Sequence, residues 1–253
     1  MQIILASAKI MNKTTTVATP PSSQATFQKE AEQFALELSQ WSAPELAQQL
    51  HCSLSIAQEN KLRFEHFFDK SEYLPAILAY HGQAYKYLVA EDFKTEDFLF
   101  AQQHLFITSF LYGLLRPLDL IHPYRMEGKM KLETTSDQSF FAYWKPRLTQ
   151  MLIDAVRADD GILVHLATEE FEHLFDWKRV EQEIRVIQPL FYVDDGHRMK
   201  VVSVHAKSCR GAMARFLLLN RLTKPEDMYP FQLNGFTYNA RYGDENHPHF
   251  IME

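Results

Sequence analysis

The apolar residues between Lys200 and Arg221 change their spacing within a few positions. Val201, Val202 and Val204 are β-branched and read as a strand. After Lys207 the spacing becomes helical. At about 100° per residue, Met213, Phe216 and Leu219 share one face. Lys207, Arg210, Gly211, Ala214, Leu218 and Arg221 share the opposite face, with Arg215 at its edge. A strand that runs directly into a helix belongs to an α/β architecture. A helix N-terminus with Lys and Arg beside it suits a phosphate. Two readings of the cationic face stand open: an anion site, where small residues allow close approach, and a solvated charged surface.

The distribution of charge bears on that choice. The chain of 253 residues carries a net charge of −6, which speaks against a broad nucleic-acid-binding surface. From Gly196 to Pro225, however, it has seven cations and no acid, so the remainder carries −13. A local positive field on an acidic protein can focus an anion at one place. Apolar content of 46 % and charged content of 23 % are those of a globular protein with a sizeable core. No apolar run approaches the roughly 20 residues of a membrane span, and the first residues lack a signal-peptide pattern. Cys52 and Cys209 make no disulfide framework, so a cytoplasmic protein without a membrane partner is expected.

Taken in order, Gln2 to Ala6 read as a buried strand, with Ser7 and Lys9 just past its end. Asn12 to Gln24 are a long polar loop, or a flap. A helix begins near Thr26. Ser42 with Glu45 forms a capping box for a short helix, and a second helix follows a tight turn at His51 to Ser53. Residues 42 to 64 thus match either a helix-hairpin-helix element, though without its usual glycines, or two packed helices. Leu74 to Tyr80, Leu105 to Phe110 and Gly161 to Leu166 read as strands. Thr95 and Thr168 read as helix caps, and Ser136 or Asp137 opens a helix containing Pro146. Ile184 to Val193 and Met199 to His205 form a hairpin across Asp194-Asp195-Gly196. No repeat and no linker divides the chain, so a single mixed α/β domain spanning residues 1 to 253 is expected.

The chain has no Walker A loop, dinucleotide fingerprint, zinc-spaced Cys/His set or nucleophile elbow, so neither a metal nor a cofactor is expected. Arg116 and Asp119 stand three apart across a proline turn and could pair, as a structural clamp or as an anion ligand held in place. Glu169, like Lys9 and Lys207, lies at a strand-to-helix junction. Cys209, between Lys207 and Arg210, reads as a thiol of lowered pKa or as a bystander.

Several strings together resemble one family. They are Ser7-Ala8-Lys9, Ala101-Gln-Gln-His-Leu105, Tyr112-Gly-Leu-Leu-Arg116-Pro-Leu-Asp119 and Pro123-Tyr124-Arg125. With them go Ala206-Lys207, Arg210-Gly211-x-Met213-x-Arg215-Phe216 and Asn220-Arg221-Leu-Thr-Lys-Pro-Glu226. In this order they resemble the bacterial peroxide stress protein YaaA family over nearly the whole chain. The resemblance implies a cytoplasmic protein of the hydrogen peroxide response that limits iron-linked damage. It also implies an α/β domain of unusual topology with a basic cleft and a helix-hairpin-helix element, which binds double-stranded or distorted DNA. The chain departs from the family at Ala8, where a proline is missing before it, and at His165, Thr168 and Phe171. Cys209 is outside the family pattern.

The leading expectation is therefore a DNA-binding protein with no obligate protein partner. Lys207, Arg210, Arg215 and Arg221 would contact phosphate, and Lys9, Arg116 and Arg125 would converge on the same cleft. Ser7, Tyr112, Asp119, Tyr124, Glu169 and Gly211 would support them. The alternative is an enzyme acting on nucleic acid or a nucleotide-like anion. In it Lys9 or Lys207 would be a reactive amine, and Asp119 or Glu169 an acid or base. An iron-binding protein ranks last, because the scattered histidines and acids offer no ligand set.

Overall fold

The computed structural model describes residues 1–253. Its elements, in chain order, begin with β1 (Gln2–Ala6) and a two-residue β2 (Ser23–Gln24). Helix α1 (Gln28–Gln40) buries Ala31, Phe34, Ala35 and Leu38, the side its apolar spacing marks. α2 (Ala43–Gln49) starts on the expected capping box: the Ser42 N–H donates to Glu45 and the Glu45 N–H to Ser42 Oγ. α3 (Leu54–Glu65) follows a turn in which His51 takes φ of 47°. The N–H groups of Leu50, His51 and Cys52 donate back to Leu46, Gln48 and Ala47 carbonyls, so these three turn amides are engaged within the element.

The chain continues through β3 (Leu74–Pro75), α4 (Ala76–Ala79), α5 (Gln83–Leu88) and α6 (Thr95–His104). The expected strand over Leu74 to Tyr80 is thus a two-residue strand and one buried helical turn. A short apolar run satisfies either geometry, and here Pro75 cannot donate to a ladder. Then come β4 (Leu105–Ser109), β5 (Gly113–Leu115), β6 (Asp119–Ile121), α7 (Phe140–Ala158), β7 (Ile162–Leu166), α8 (Glu169–Glu172) and α9 (Trp177–Glu183). α7 is capped by Ser139 rather than Ser136 or Asp137, and Lys94 rather than Thr95 precedes α6. The last part is β8 (Arg185–Ile187), β9 (Leu190–Asp194), β10 (Met199–Lys200), α10 (Ser203–Leu219), β11 (Gln232–Leu233), β12 (Phe236–Gly243) and β13 (Pro248–Met252). The expected hairpin turn joins β9 and β10, with Met199 opposite Asp194, but β10 ends at Lys200 and the expected strand from Ile184 to Val193 is two, β8 and β9, interrupted at Gln188 and Pro189 and belonging to different sheets. Val201 is exposed, and the helix begins at Ser203.

Three sheets result. The first has the order β5-β4-β1-β7-β8; β4, β1, β7 and β8 run parallel, and β5 is antiparallel to β4. Its inner strands β1, β4 and β7 are buried, as parallel strands covered by helices on both faces must be, and the edge strand β8 exposes Arg185. The second, β10-β9-β13-β12-β11, is mixed. The third is the small β2-β6-β3. Residues of all three belong to one contiguous hydrophobic core, from Ile3 and Phe106 to Leu74 and Phe250. The chain places β4 on one side of β1 and then crosses to put β7 on the other. Side chains and loops diverge at the carboxyl ends of such strands, which leaves a crevice.

Candidate functional site

A cleft of about 380 Å³ opens at that crevice. Its floor is the end of β1 and the segment that follows it: Leu5, Ala6, Ser7, Ala8 and Lys9. That segment is held by backbone bonds from His81 N to Ile10 O (2.9 Å) and from Asn12 N to Ala79 O (2.8 Å). Phe110, just beyond β4, and Leu166 and Phe171, around the end of β7, form an apolar wall, with the rings of Phe110 and Phe171 stacked at 4.9 Å. Tyr124, Arg125 and Met126 line another side, and Gly82 with Gln83, Ala84 and Tyr85 of α5 a third. The first turns of α10 contribute Val204, Lys207 and Arg210.

Close packing places α10 here. A Cβ on Gly211 would lie 1.8 Å from the Ala84 carbonyl oxygen, so only glycine lets α5 and α10 approach this far. Gln83 donates to Ser208 Oγ at 2.9 Å, and Tyr85 OH donates to the Ala6 carbonyl at 3.0 Å, tying both helices to the end of β1. Gly82 is needed for the same reason on the other side, since its Cβ would lie 2.6 Å from the Ala8 Cβ. The face with Gly211, Ala214 and Leu218 is therefore a buried helix–helix seam and not an open approach for a flat anion. Of the helix's cations only Lys207 and Arg210, near its start, reach the cleft.

Four cations thus converge: Lys9, Arg125, Lys207 and Arg210. Lys9 Nζ lies 2.6 Å from Glu127, and Arg125 lies 3.6 Å from the same carboxylate. The Arg125 Nε is buried and has no hydrogen-bond partner. Arg210 is held below the ordinary arginine pKa by burial and has no carboxylate beside it. Lys207 is exposed and makes no ion pair. Glu170 lines the cleft, whereas Glu169, one residue earlier, is solvent-exposed and is not part of its wall. Ser7 and Tyr124 are in the lining as expected. Tyr124 continues inward through hydrogen bonds to Tyr80 OH (2.7 Å) and Ser109 Oγ (2.6 Å), and burial pushes its phenol up to about 12.

Three expected arginines lie elsewhere, each bound to backbone carbonyls that sequence spacing does not reveal. Arg116 sits at the amino ends of β1 and β4, the far edge of the sheet. It donates to Gln2 Oε1, Gln103 O and Leu105 O and stacks on Phe106 at 3.5 Å. Burial pulls its pKa down to about 10. Arg215 donates to the Leu88 and Val89 carbonyls (3.1 and 2.7 Å) and so satisfies the C-terminal end of α5. Arg221 donates to the Leu218 carbonyl (2.6 Å) at the end of α10 and pairs with Asp97 at 2.7 Å. None of the three converges on the cleft. Asp119 does not pair with the Arg116 guanidinium. Its carboxylate accepts from the Arg116 backbone N–H (2.7 Å) and Ser23 Oγ (2.6 Å), which makes it a buried turn clamp with a pKa raised by burial. Tyr112 is buried and accepts from the His122 N–H (3.0 Å). Burial pushes the Cys209 thiol up to about 12, the opposite of a sensor thiol.

Reasoning from sequence missed Gln83, Tyr85, Glu127, Glu170, Phe110 and Phe171. Only the closeness of Glu127 to Arg125 and of Glu170 to the β7 end offered a signal. No group of three or more His, Cys, Asp or Glu side chains is placed to hold a metal ion, and no helix is long and apolar enough to cross a membrane.

Comparison with known proteins adds two findings. The family profile described as "Peroxide stress protein YaaA" matches residues 1–242. Among curated relatives, a "UPF0246 protein" of Phocaeicola vulgatus is 47 % identical over 253 residues, covering all of this chain and 99 % of its own length. A protein of the same name from Bacteroides thetaiotaomicron is 43 % identical over 252 residues, covering 99 % and 98 %.

Proposed function

The chain belongs to the peroxide stress protein YaaA family, and on that premise we propose that it acts in the peroxide response by binding DNA through this cleft. The volume of about 380 Å³ is near the low end of ligand sites, room for one nucleotide. It is too small for a duplex, whose major groove alone is about 12 Å wide. The nucleotide that enters is therefore unpaired or displaced from its stack, which selects distorted DNA. Its base would lie along the apolar wall of Phe110, Leu166 and Phe171. Its phosphate would meet Lys9, Arg125, Lys207 and Arg210 at the mouth. Glu127 occupies the place between Lys9 and Arg125 that a phosphate oxygen would take, so binding exchanges one anion for another. Iron and peroxide damage exposed DNA, and a protein seated on a distorted site would shield it.

The observation that carries this reading is the pair Lys207 and Arg210, two cations without a carboxylate partner at the rim of a pocket with an apolar wall. The enzymatic alternative has less support. A nucleophilic lysine works by being desolvated, yet the Lys9 side chain is 54 % exposed and Lys207 is also exposed.

The test is anisotropy of labelled duplexes with and without a bulge, over a range of salt. The intact protein should favour the bulged duplex and weaken steeply as salt rises. Arg210→Glu should lower affinity by about tenfold or more, roughly the 1.4 kcal/mol or larger effect of a lost charged contact. Unchanged binding by Arg210→Glu would remove the cleft from the interaction.

A further inference from the structure

A second depression, about 760 Å³ and more open, lies along the first half of α7. It is lined by Lys129, Phe141, Lys145, His173, Asp176 and Arg179, among others. Two stretches of chain border both it and the cleft. The loop after Tyr124 gives Arg125 and Met126 to the cleft and Lys129 to the groove. The stretch after β7 gives Glu170 and Phe171 to the cleft and His173 and Asp176 to the groove. A row of rings joins them: Phe171 stacks on Phe110, Phe110 meets Phe141 edge-on at 5.5 Å, and Phe141 meets His173 edge-on at 5.5 Å. Groove and cleft are thus adjacent along shared walls.

The charges in the groove are unevenly committed. Lys129 and Lys145 are exposed and make no ion pair. Arg179 pairs with Glu183 at 2.6 Å. The single acid, Asp176, caps α9 by accepting the Arg179 N–H. The first amides of α7 are used as well: Phe140 N–H donates to Met130 O, Phe141 N–H to Gly128 O and Ala142 N–H to Ser139 Oγ. An anion here would be held by lysine side chains, not by the helix end. Exposed cations spaced beside accessible rings are the arrangement that tracks a single strand, with phosphates on the cations and bases on the rings.

We propose that this groove carries the nucleic-acid strand that flanks the nucleotide in the cleft, with Lys129 and Lys145 on its phosphates and Phe141 and His173 beside its bases. This rests on the cleft reading above and extends it from one nucleotide to a directed path. Cations unopposed along a line of rings suit a phosphodiester strand better than an acidic peptide, which would leave the rings unused.

The test uses the full chain, its Lys129→Glu/Lys145→Glu variant and two labelled single strands: a dinucleotide and an oligodeoxythymidine of about 16 nucleotides. Both lysines are exposed, and circular dichroism of the variant checks that it folds. The wild type should bind the longer strand more tightly. The variant should lose about tenfold on the longer strand and nothing on the dinucleotide. Its slope of log affinity against log salt should be shallower by about 1.4, two contacts at about 0.7 each. Equal loss on both probes, or none on the longer one, overturns the groove while leaving the cleft in place. Binding of a labelled poly-glutamate peptide that the double variant abolishes, while the variant binds the longer strand as the wild type does, would assign the groove to an acidic peptide instead. If the wild type binds neither strand, the cleft reading falls and the groove with it.

Discussion

Arg210 and Arg215 stand five residues apart on one helix and do different work. Arg210 is half-buried at the cleft with no carboxylate beside it. Arg215 spends its guanidinium on two carbonyls that end α5. Their neighbourhoods in sequence are alike, and the carbonyl acceptors come from more than a hundred residues away. That is why cationic residues were legible as a set while their division into cleft-facing and structural members was not. The contrast is measurable. Arg215→Ala should leave DNA binding unchanged and cost about 1–3 kcal/mol, the penalty for orphaned carbonyls. At roughly 2–4 °C per kcal/mol for a chain of this size, the melting temperature should fall by several degrees. A variant that binds DNA tenfold more weakly without losing stability would place Arg215 in the interface instead.

At the level of elements, β1, β4 and β7, the capping box of α2 and the β9–β10 turn were legible, because local chemistry specifies each of them, whereas β8 was not separable from β9 in one apolar stretch. The extent of β10, the start of α10 and the α4 turn were not, since tertiary packing decided them. Gly211 was readable as a patterned position, but its purpose needed the partner helix: it serves the α5–α10 seam and not a ligand. The far end of α10 is tied to the start of α6 by Arg221 and Asp97. Burial raises the Asp97 pKa, but the Arg221 guanidinium and the Lys94 N–H outweigh it and leave the value lowered. A carboxyl held low in the folded state stabilises above its unfolded pKa of about 3.9, and that contribution is lost as pH falls through the folded value. Wild type should therefore melt above Asp97→Asn near neutral pH, and the gap should close as acid takes the pH through and below the lowered folded value. A gap that stays constant from neutral pH into acid would mean that the ion pair contributes nothing.

Across the whole molecule, an acidic protein brings four cations, Lys9, Arg125, Lys207 and Arg210, together at the carboxyl ends of a parallel sheet. The acid-free segment from Gly196 to Pro225 pointed to this region. Its partners Lys9 and Arg125 come from distant parts of the chain, and only the crossing of strands around β1 brings them together. The α2–α3 pair is separate in the chain and uses the amides of its turn internally. Cleft and hairpin are therefore distinct candidates for contact with nucleic acid. Hydrogen exchange of the full chain, with and without saturating bulged duplex, decides between them. Protection on binding is expected in segments 7–10, 82–85, 125–129 and 204–210, with residues 42–64 and the carboxyl half of α10 unchanged. Protection confined to residues 42–64, with the cleft segments exchanging as in the free protein, would contradict the cleft as the DNA-binding site.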